Sequence, residues 1–288
     1  MTNYVFTTEA SCDLPESRFQ KDCLIPVPLY YTFDDEKIYG EDASLPIREF
    51  YERMRNGSYP KTMASNLDTI LSIFKNQLAQ GLDVIHIAFS GALSSSCNNA
   101  ILGAKILSEE FPERRITVID SCLASLGQGL LVDYALRKKE EGLPYDEMIT
   151  ALQENRLKIC ADFTVDSLAT LKNGGRISKS TALIGNIMNI KPVLHMNPEG
   201  QLVSLQNVRG RKKALQALVD HMAEARDISQ NRVFLSHGDC PEDAAYVEQM
   251  IRERFGITDI TCSYIGPAIG SHSGPGTVAL FYFGNRMA

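Results

Sequence analysis

The sequence predicts an α/β protein of two domains, an N-terminal parallel sheet with helices on both faces and a C-terminal α/β domain with a mixed sheet. Three observations predict it. The length of 288 residues exceeds the usual span of one domain. The first half alternates short apolar runs with longer helix-period segments, the pattern of a parallel sheet covered by helices. Beyond Pro144 that alternation gives way to two strand candidates flanking a turn, which reads as a hairpin. The boundary is placed near residue 160, giving domains over 1–160 and 161–288.

In order, Tyr4 to Thr7 is a strand candidate. Pro26 to Phe33 is another, and its two prolines suggest an edge. Helices are expected over Pro46 to Arg55 and Leu67 to Gln80. The apolar run Asp83 to Phe89 reads as a buried strand, followed by a helix from Ser94 to Glu110. A strand at Ile116 to Ile119 and a helix from Ala124 to Glu140 complete the first set. A helix at Tyr145 to Leu157 leads into a strand at Lys158 to Val165. Strands at Lys191 to Met196 and Leu202 to Asn207 flank the turn Asn197-Pro198-Glu199-Gly200. The remainder reads as helix Lys212 to Ala225, strand Arg232 to Ser236, helix Glu242 to Phe255, and strands Thr258 to Tyr264 and Thr277 to Phe283. A mixed sheet with helices on one face follows.

Composition narrows the function. Hydrophobic residues make up 44% and charged residues 22%, enough for a full core. A net charge of -6 argues against a broad nucleic-acid surface. No apolar run approaches the ~20 residues that span a bilayer, so no stable membrane insertion is expected, transient contact aside. The start lacks a basic region followed by an apolar core, so it does not read as a signal peptide. Seven cysteines, an odd and scattered set without a CxxC pair, fit buried thiols in a reducing cytoplasm better than a disulfide framework or a zinc site.

Four polar segments fall at or near the ends of predicted strands: Thr7 to Asp13, Thr62 to Ser65, Ser90 to Ser96 and Asp120 to Ser125. In an open parallel sheet ligands bind at the carboxyl ends of the strands. Hydroxyls and free N–H groups at helix starts suit an anion, a carboxylate or a phosphate. There is no GxxxxGK[ST], no strand-linked GxGxxG and no GxSxG, so these loops are able to hold an anion but show no means of cutting or transferring anything. Two later segments stand out. Leu171 to Ser178 combines a helix end, a glycine turn and Arg176. Ile265 to Gly276 reads as a glycine-proline loop around His272, which can donate a hydrogen bond or supply positive charge. Val208 to Lys213 is a basic cluster suited to an acidic partner or to a solvated helix start. Ile184, Ile187, Met188 and Ile190 form an apolar stretch equally suited to a ligand wall or to ordinary core.

These segments, in this order, resemble the DegV family, which includes the fatty-acid-binding subunits that serve bacterial fatty-acid kinase. The resemblance is carried by TTEASCDLP, KTMAS, LSSS, VIDSCLASLGQGLLV, FTVDSLATLKNGGRISKSTALIGNIMNIKPVL, VRGRKKAL, SHGDCPEDA and IGPAIGSHSGPGTVALFY. It implies a two-domain α/β fold with a long-chain fatty acid buried between the domains. It also implies that the carboxylate meets Thr62 and Ser94, with His272 in the same polar network. Arg176 and Arg209 fall on the arginines that family members use toward a kinase partner, a separate subunit that phosphorylates the bound acid. The binding protein itself is then non-catalytic, with no metal and no cofactor beyond its lipid. Glu9-Ala10-Ser11 departs from the family's usual TDST-like opening, and Met63-Ala64 stands where a Ser-Gln pair is usual. Two other readings stand beside this one: an acyl hydrolase or transferase using Ser94 with His272, and a regulatory module whose lipid is only a signal.

Overall fold

The structure, a computed structural model, describes residues 3–21, 23–34, 37–40, 43–177 and 189–286. The first sheet has the order β2-β1-β6-β7, from β1 (Tyr4–Glu9), β2 (Ile25–Val27), β6 (Asp83–Ala88) and β7 (Ile116–Asp120), all parallel. Alternate side chains of a strand point to opposite faces. Val84 therefore packs against α3 (Leu67–Ala79) and α4 (Ser96–Glu110), while Ile85 and Ile87 pack against α5 (Leu126–Glu140) and α6 (Tyr145–Asn155). With both faces covered, β6 is buried along its whole length, which is why it reads as a continuous apolar run. A short helix α1 (Glu16–Lys21) connects β1 to β2.

The second sheet has the order β10-β9-β8-β13-β11-β12, from β8 (Ile159–Thr164), β9 (Ile190–Met196), β10 (Leu202–Arg209), β11 (Arg232–His237), β12 (Asp259–Tyr264) and β13 (Val278–Phe283). All neighbours are antiparallel except β11 and β12, and β9 and β10 form the expected hairpin, closed by Gly200 at φ 78. Helices α8 (Arg211–Ala225) and α9 (Pro241–Phe255) cover one face through Val193, Val233, Leu235 and Leu280. A short α7 (Ala169–Asn173) follows β8. The other face, with Ala161, Phe163, Phe234 and Phe281, packs on α5. That helix is thus the inner layer for both sheets, and residues on all its sides are buried, as a helix without a solvent face requires.

Two glycines let α5 approach its neighbours. A Cβ on Gly127 would fall 2.8 Å from the Phe281 ring, and one on Gly129 would fall 2.6 Å from the Cys12 carbonyl oxygen. Asp133, buried on the same helix, accepts from Arg18 of α1 at 2.9 Å, Arg137 at 3.1 Å and Arg232 of β11 at 2.9 Å. Three guanidinium groups compensate the desolvation of one carboxylate and tie the two halves together.

A third, small sheet was not anticipated. Its order is β4-β3-β5, from β3 (Tyr30–Thr32), β4 (Ile38–Tyr39) and β5 (Lys61–Met63), with α2 (Ile47–Arg55) packed on it through Phe50 and Tyr51. The single edge strand expected over Pro26 to Phe33 is in fact two, β2 in the first sheet and β3 in the third. Prolines at 26 and 28 remove ladder donors, so the run cannot continue as one strand. The expected loop at Ile265 to Gly276 also differs. Pro267 at the first turn and Gly274 at φ 83 bracket a helix, α10 (Pro267–Ser273). Among the described residues no helix is long and apolar enough to cross a membrane.

Gly129→Ala is expected to destabilise the protein by about 1–3 kcal/mol, because the atom it meets is backbone and α5 is held on two sides. A urea midpoint unchanged from wild type would show that α5 has room to move.

Candidate functional site

Because β1, β6 and β7 are parallel, the loops at their carboxyl ends share one edge of the first sheet. There the loops after β6 and β7 face the apolar surface of the second sheet across a cavity of about 250 Å³. Phe89, Leu93 and Ala124 line it from the first sheet and Phe163, Met196 and Phe281 from the second. Thr62, Ser94, Arg176 and His272 line it as well.

Three of the four polar segments sit at that edge. The fourth does not: Thr62 lies on β5, opposite Tyr31 in the third sheet. It reaches the cavity because the third sheet packs beside α10, and its Oγ1 lies 2.8 Å from His272 Nε2. The Ser94 hydroxyl accepts from the Ser96 backbone N–H at 3.2 Å and donates to Ser96 Oγ at 3.1 Å, so it also caps the start of α4. Thr62 and His272 are therefore bonded to each other, while Ser94 is held separately on the same wall.

Burial lowers the His272 imidazole to about 4, with the nearby Arg176 guanidinium as the second cause. The ring is neutral at pH 7, so of the two roles open to it the hydrogen bond is the one available. Its Nδ1 is buried without a hydrogen-bond partner among the described residues, packed against Gly174, where a Cβ would fall 2.3 Å from that nitrogen. Arg176 is half-buried on the cavity wall, its Nε donating to the Leu93 carbonyl at 3.2 Å and its Nη1 to the Gly174 carbonyl. Arg209 is exposed at the end of β10 and is not part of the lining. Of the apolar stretch after the glycine turn, Ile184, Ile187 and Met188 lie outside the described residues. Ile190 opens β9 away from the cavity lining.

The sequence reading missed a second polar cluster. Asp13 Oδ2 accepts from Ser125 Oγ at 2.5 Å, and Asp13 Oδ1 accepts from the Gly266 N–H at 2.9 Å. Ser125 Oγ also lies 3.0 Å from Ser236 Oγ, and Ser125 faces the cavity. Asp13 and Ser125 both adopt positive φ, 52° and 54°. No local pattern pairs residues so far apart in the chain; only the closure of the two sheets does. Burial pushes the Asp13 carboxyl up to about 7, against the opposing pull of the Ser125 and Gly266 hydrogen bonds. His86, within β6, is bonded to Thr7 Oγ1 at 2.8 Å beneath the sheet edge, a structural position.

Asp13 makes the stability of the fold depend on pH. Its folded pKa near 7 lies above the ordinary 3.8, so its contribution to stability is fully present below pH 3.8 and is lost as pH rises through 7. Asp13→Asn keeps an acceptor for Gly266, suits the left-handed backbone and cannot ionise. It is expected to raise the melting temperature at pH 8, with the gap narrowing at pH 5. An equal shift at both pH values, read by thermal melting, would refute the titration.

Comparison with known proteins bears on this arrangement. Residues 5–285 match the family described as "Uncharacterised protein, DegV family". A DegV domain-containing protein of Clostridium perfringens is 38% identical over 288 residues, covering 99% of each chain. A fatty acid (stearic acid)-binding protein from Eubacterium ventriosum superposes with a TM-score of 0.87 at 26% identity, covering 98% of each chain. A DegV family protein from Thermus thermophilus, described by its fatty acid binding, superposes with a TM-score of 0.86 at 27% identity over 98% of this chain and all of the other.

Proposed function

The chain belongs to the DegV family, and from that premise we propose that it binds one long-chain fatty acid in the cavity between its two sheets, with the carboxylate at Thr62, Ser94 and His272. The observation that carries this reading is the cavity itself, apolar over most of its wall and bearing hydroxyls and a neutral imidazole in one region. The fatty acids bound by the Eubacterium and Thermus relatives support it. With Nε2 protonated, His272 donates to Thr62 Oγ1 and leaves the threonine proton free for a carboxylate oxygen. Ser94 turns its own proton from Ser96 to the ligand while still capping α4. Arg176 supplies the positive charge beside them.

For a sixteen-carbon acid, burial of the chain at ~0.8 kcal/mol per CH₂ gives on the order of 12 kcal/mol before the cost of ordering the ligand. Affinity then comes mainly from the apolar wall, and the polar groups set which end faces out. The division into 1–160 and 161–288 belongs to the same reading, with the second sheet starting at Ile159 and the ligand between the domains. So does the partner: a separate fatty-acid kinase, acting in the cytoplasm, that phosphorylates the acid, approached by exposed Arg209 and, from within the mouth, by Arg176. The protein itself then carries the acid without catalysing its conversion. The acyl-transfer alternative finds less support. Ser94 is bonded to Ser96 rather than to His272, and among the described residues no carboxylate orients the imidazole.

Organic extraction of the natively expressed protein, read by mass spectrometry, is expected to yield about one fatty acid per chain. A protein that emerges empty and takes up no added stearic acid would overturn the proposal. Ser94→Ala is expected to weaken acid binding by ~1–3 kcal/mol, measured by displacement of a fluorescent fatty acid, and unchanged affinity would remove Ser94 from the carboxylate site.

A further inference from the structure

We propose that Ser273 is a further positioning residue of this site, donating its hydroxyl proton to the second oxygen of the bound carboxylate; the inference rests on the fatty-acid reading above. Ser273 closes α10 next to His272, lines the cavity and is 7% exposed, yet among the described residues its Oγ has no hydrogen-bond partner. The other buried hydroxyls on the cavity wall are satisfied. Ser125 is held by Asp13 at 2.5 Å, and Thr277 Oγ1 donates to the Ser273 and Gly274 carbonyls at 3.0 and 2.9 Å. Those two bonds hold the backbone of Ser273 in place, so its side chain stays inside the cavity.

A buried hydroxyl left without a partner is unfavourable, and a hydrocarbon chain cannot relieve it. The group it awaits is polar, and its position along the cavity says which one. Thr277, Ala279 and Phe281 alternate along the wall at the start of and within β13, so the path from Thr277 to Phe281 runs about 13 Å away from α10 into the apolar interior. Ser273, tied through its carbonyl to Thr277, stands at the α10 end, where His272 and Thr62 meet. The polar group at that end is the head group. A carboxylate offers about four acceptor positions on two oxygens, of which Thr62 and Ser94 fill two. Ser273 supplies a third donor.

The test compares stearic acid with 1-octadecanol, which has the same chain and no carboxylate, on the delipidated full-length chain. Ser273→Ala is expected to weaken stearate binding about tenfold or more while changing octadecanol binding by less than about threefold. Ser273→Thr, which keeps the hydroxyl, is expected to restore stearate binding. The lipid-free alanine variant is expected to melt at or above the wild-type temperature, because the substitution removes an unsatisfied group. Equal losses for acid and alcohol, with a lowered melting temperature, would make Ser273 a packing residue and overturn the inference, as would unchanged stearate affinity. Failure of the wild-type protein to bind stearate would overturn the fatty-acid reading itself, and this inference with it, before any variant is compared.

Discussion

The packing of α5 between the two sheets is the constraint on which the other features depend, since its residues from Leu126 to Leu136 face strands on both sides. A helix in that position cannot be amphipathic, and it must be narrow where it meets backbone. Gly127 under Phe281 and Gly129 over the Cys12 carbonyl provide that narrowness. Its N-terminal approach, through Ala124 and Ser125, is at the same time a wall of the cavity. The separation of the sheets beyond the helix start therefore sets the width of the cavity. Close packing makes that width sensitive to single methyl groups.

Polar groups at the sheet junction divide into those that hold the structure closed and those that face the cavity. Asp133 gathers three arginines from three elements. Arg286, near the end of the described chain, is buried and donates to four carbonyls: Met196 at 3.0 Å, Arg156 at 3.2 Å, and Cys122 and Asn197 at 2.5 Å each. It closes the hairpin turn onto the loop after β7. Asp13, through Ser125, Ser236 and Gly266, does the same for the loop before α10. With these closures made internally, Thr62, Ser94, Arg176, His272 and Ser273 remain on the cavity wall, and burial keeps the imidazole among them uncharged.

Much of the fold was legible because most of its strands and helices carry apolar signals within their own contiguous residues. The six-residue buried run of β6 and the hairpin around Asn197 to Gly200 are local signals with local causes. The third sheet was not legible, since β3, β4 and β5 have only two or three residues each and acquire their identity by pairing with one another. The Gly266 to Gly276 segment misled for a related reason. Gly266 and Gly274 cap a short helix and Gly270 lies buried within it, and composition alone does not distinguish that from an open loop.

The sequence by itself determined the class of fold, the positions of three of the four hydroxyl-bearing segments at the strand ends and the family to which the chain belongs, because each is encoded in contiguous residues. Only the tertiary structure decided that Thr62 meets His272 across 210 positions, that Asp13 meets Ser125, and that Ser273 is left without a partner among the described residues. It also decided that Arg176 turns to the cavity while Arg209 faces out. Hydrogen bonds and desolvation act over a few ångströms of space, whatever the distance along the chain, so they come into being only when the sheets have closed on α5.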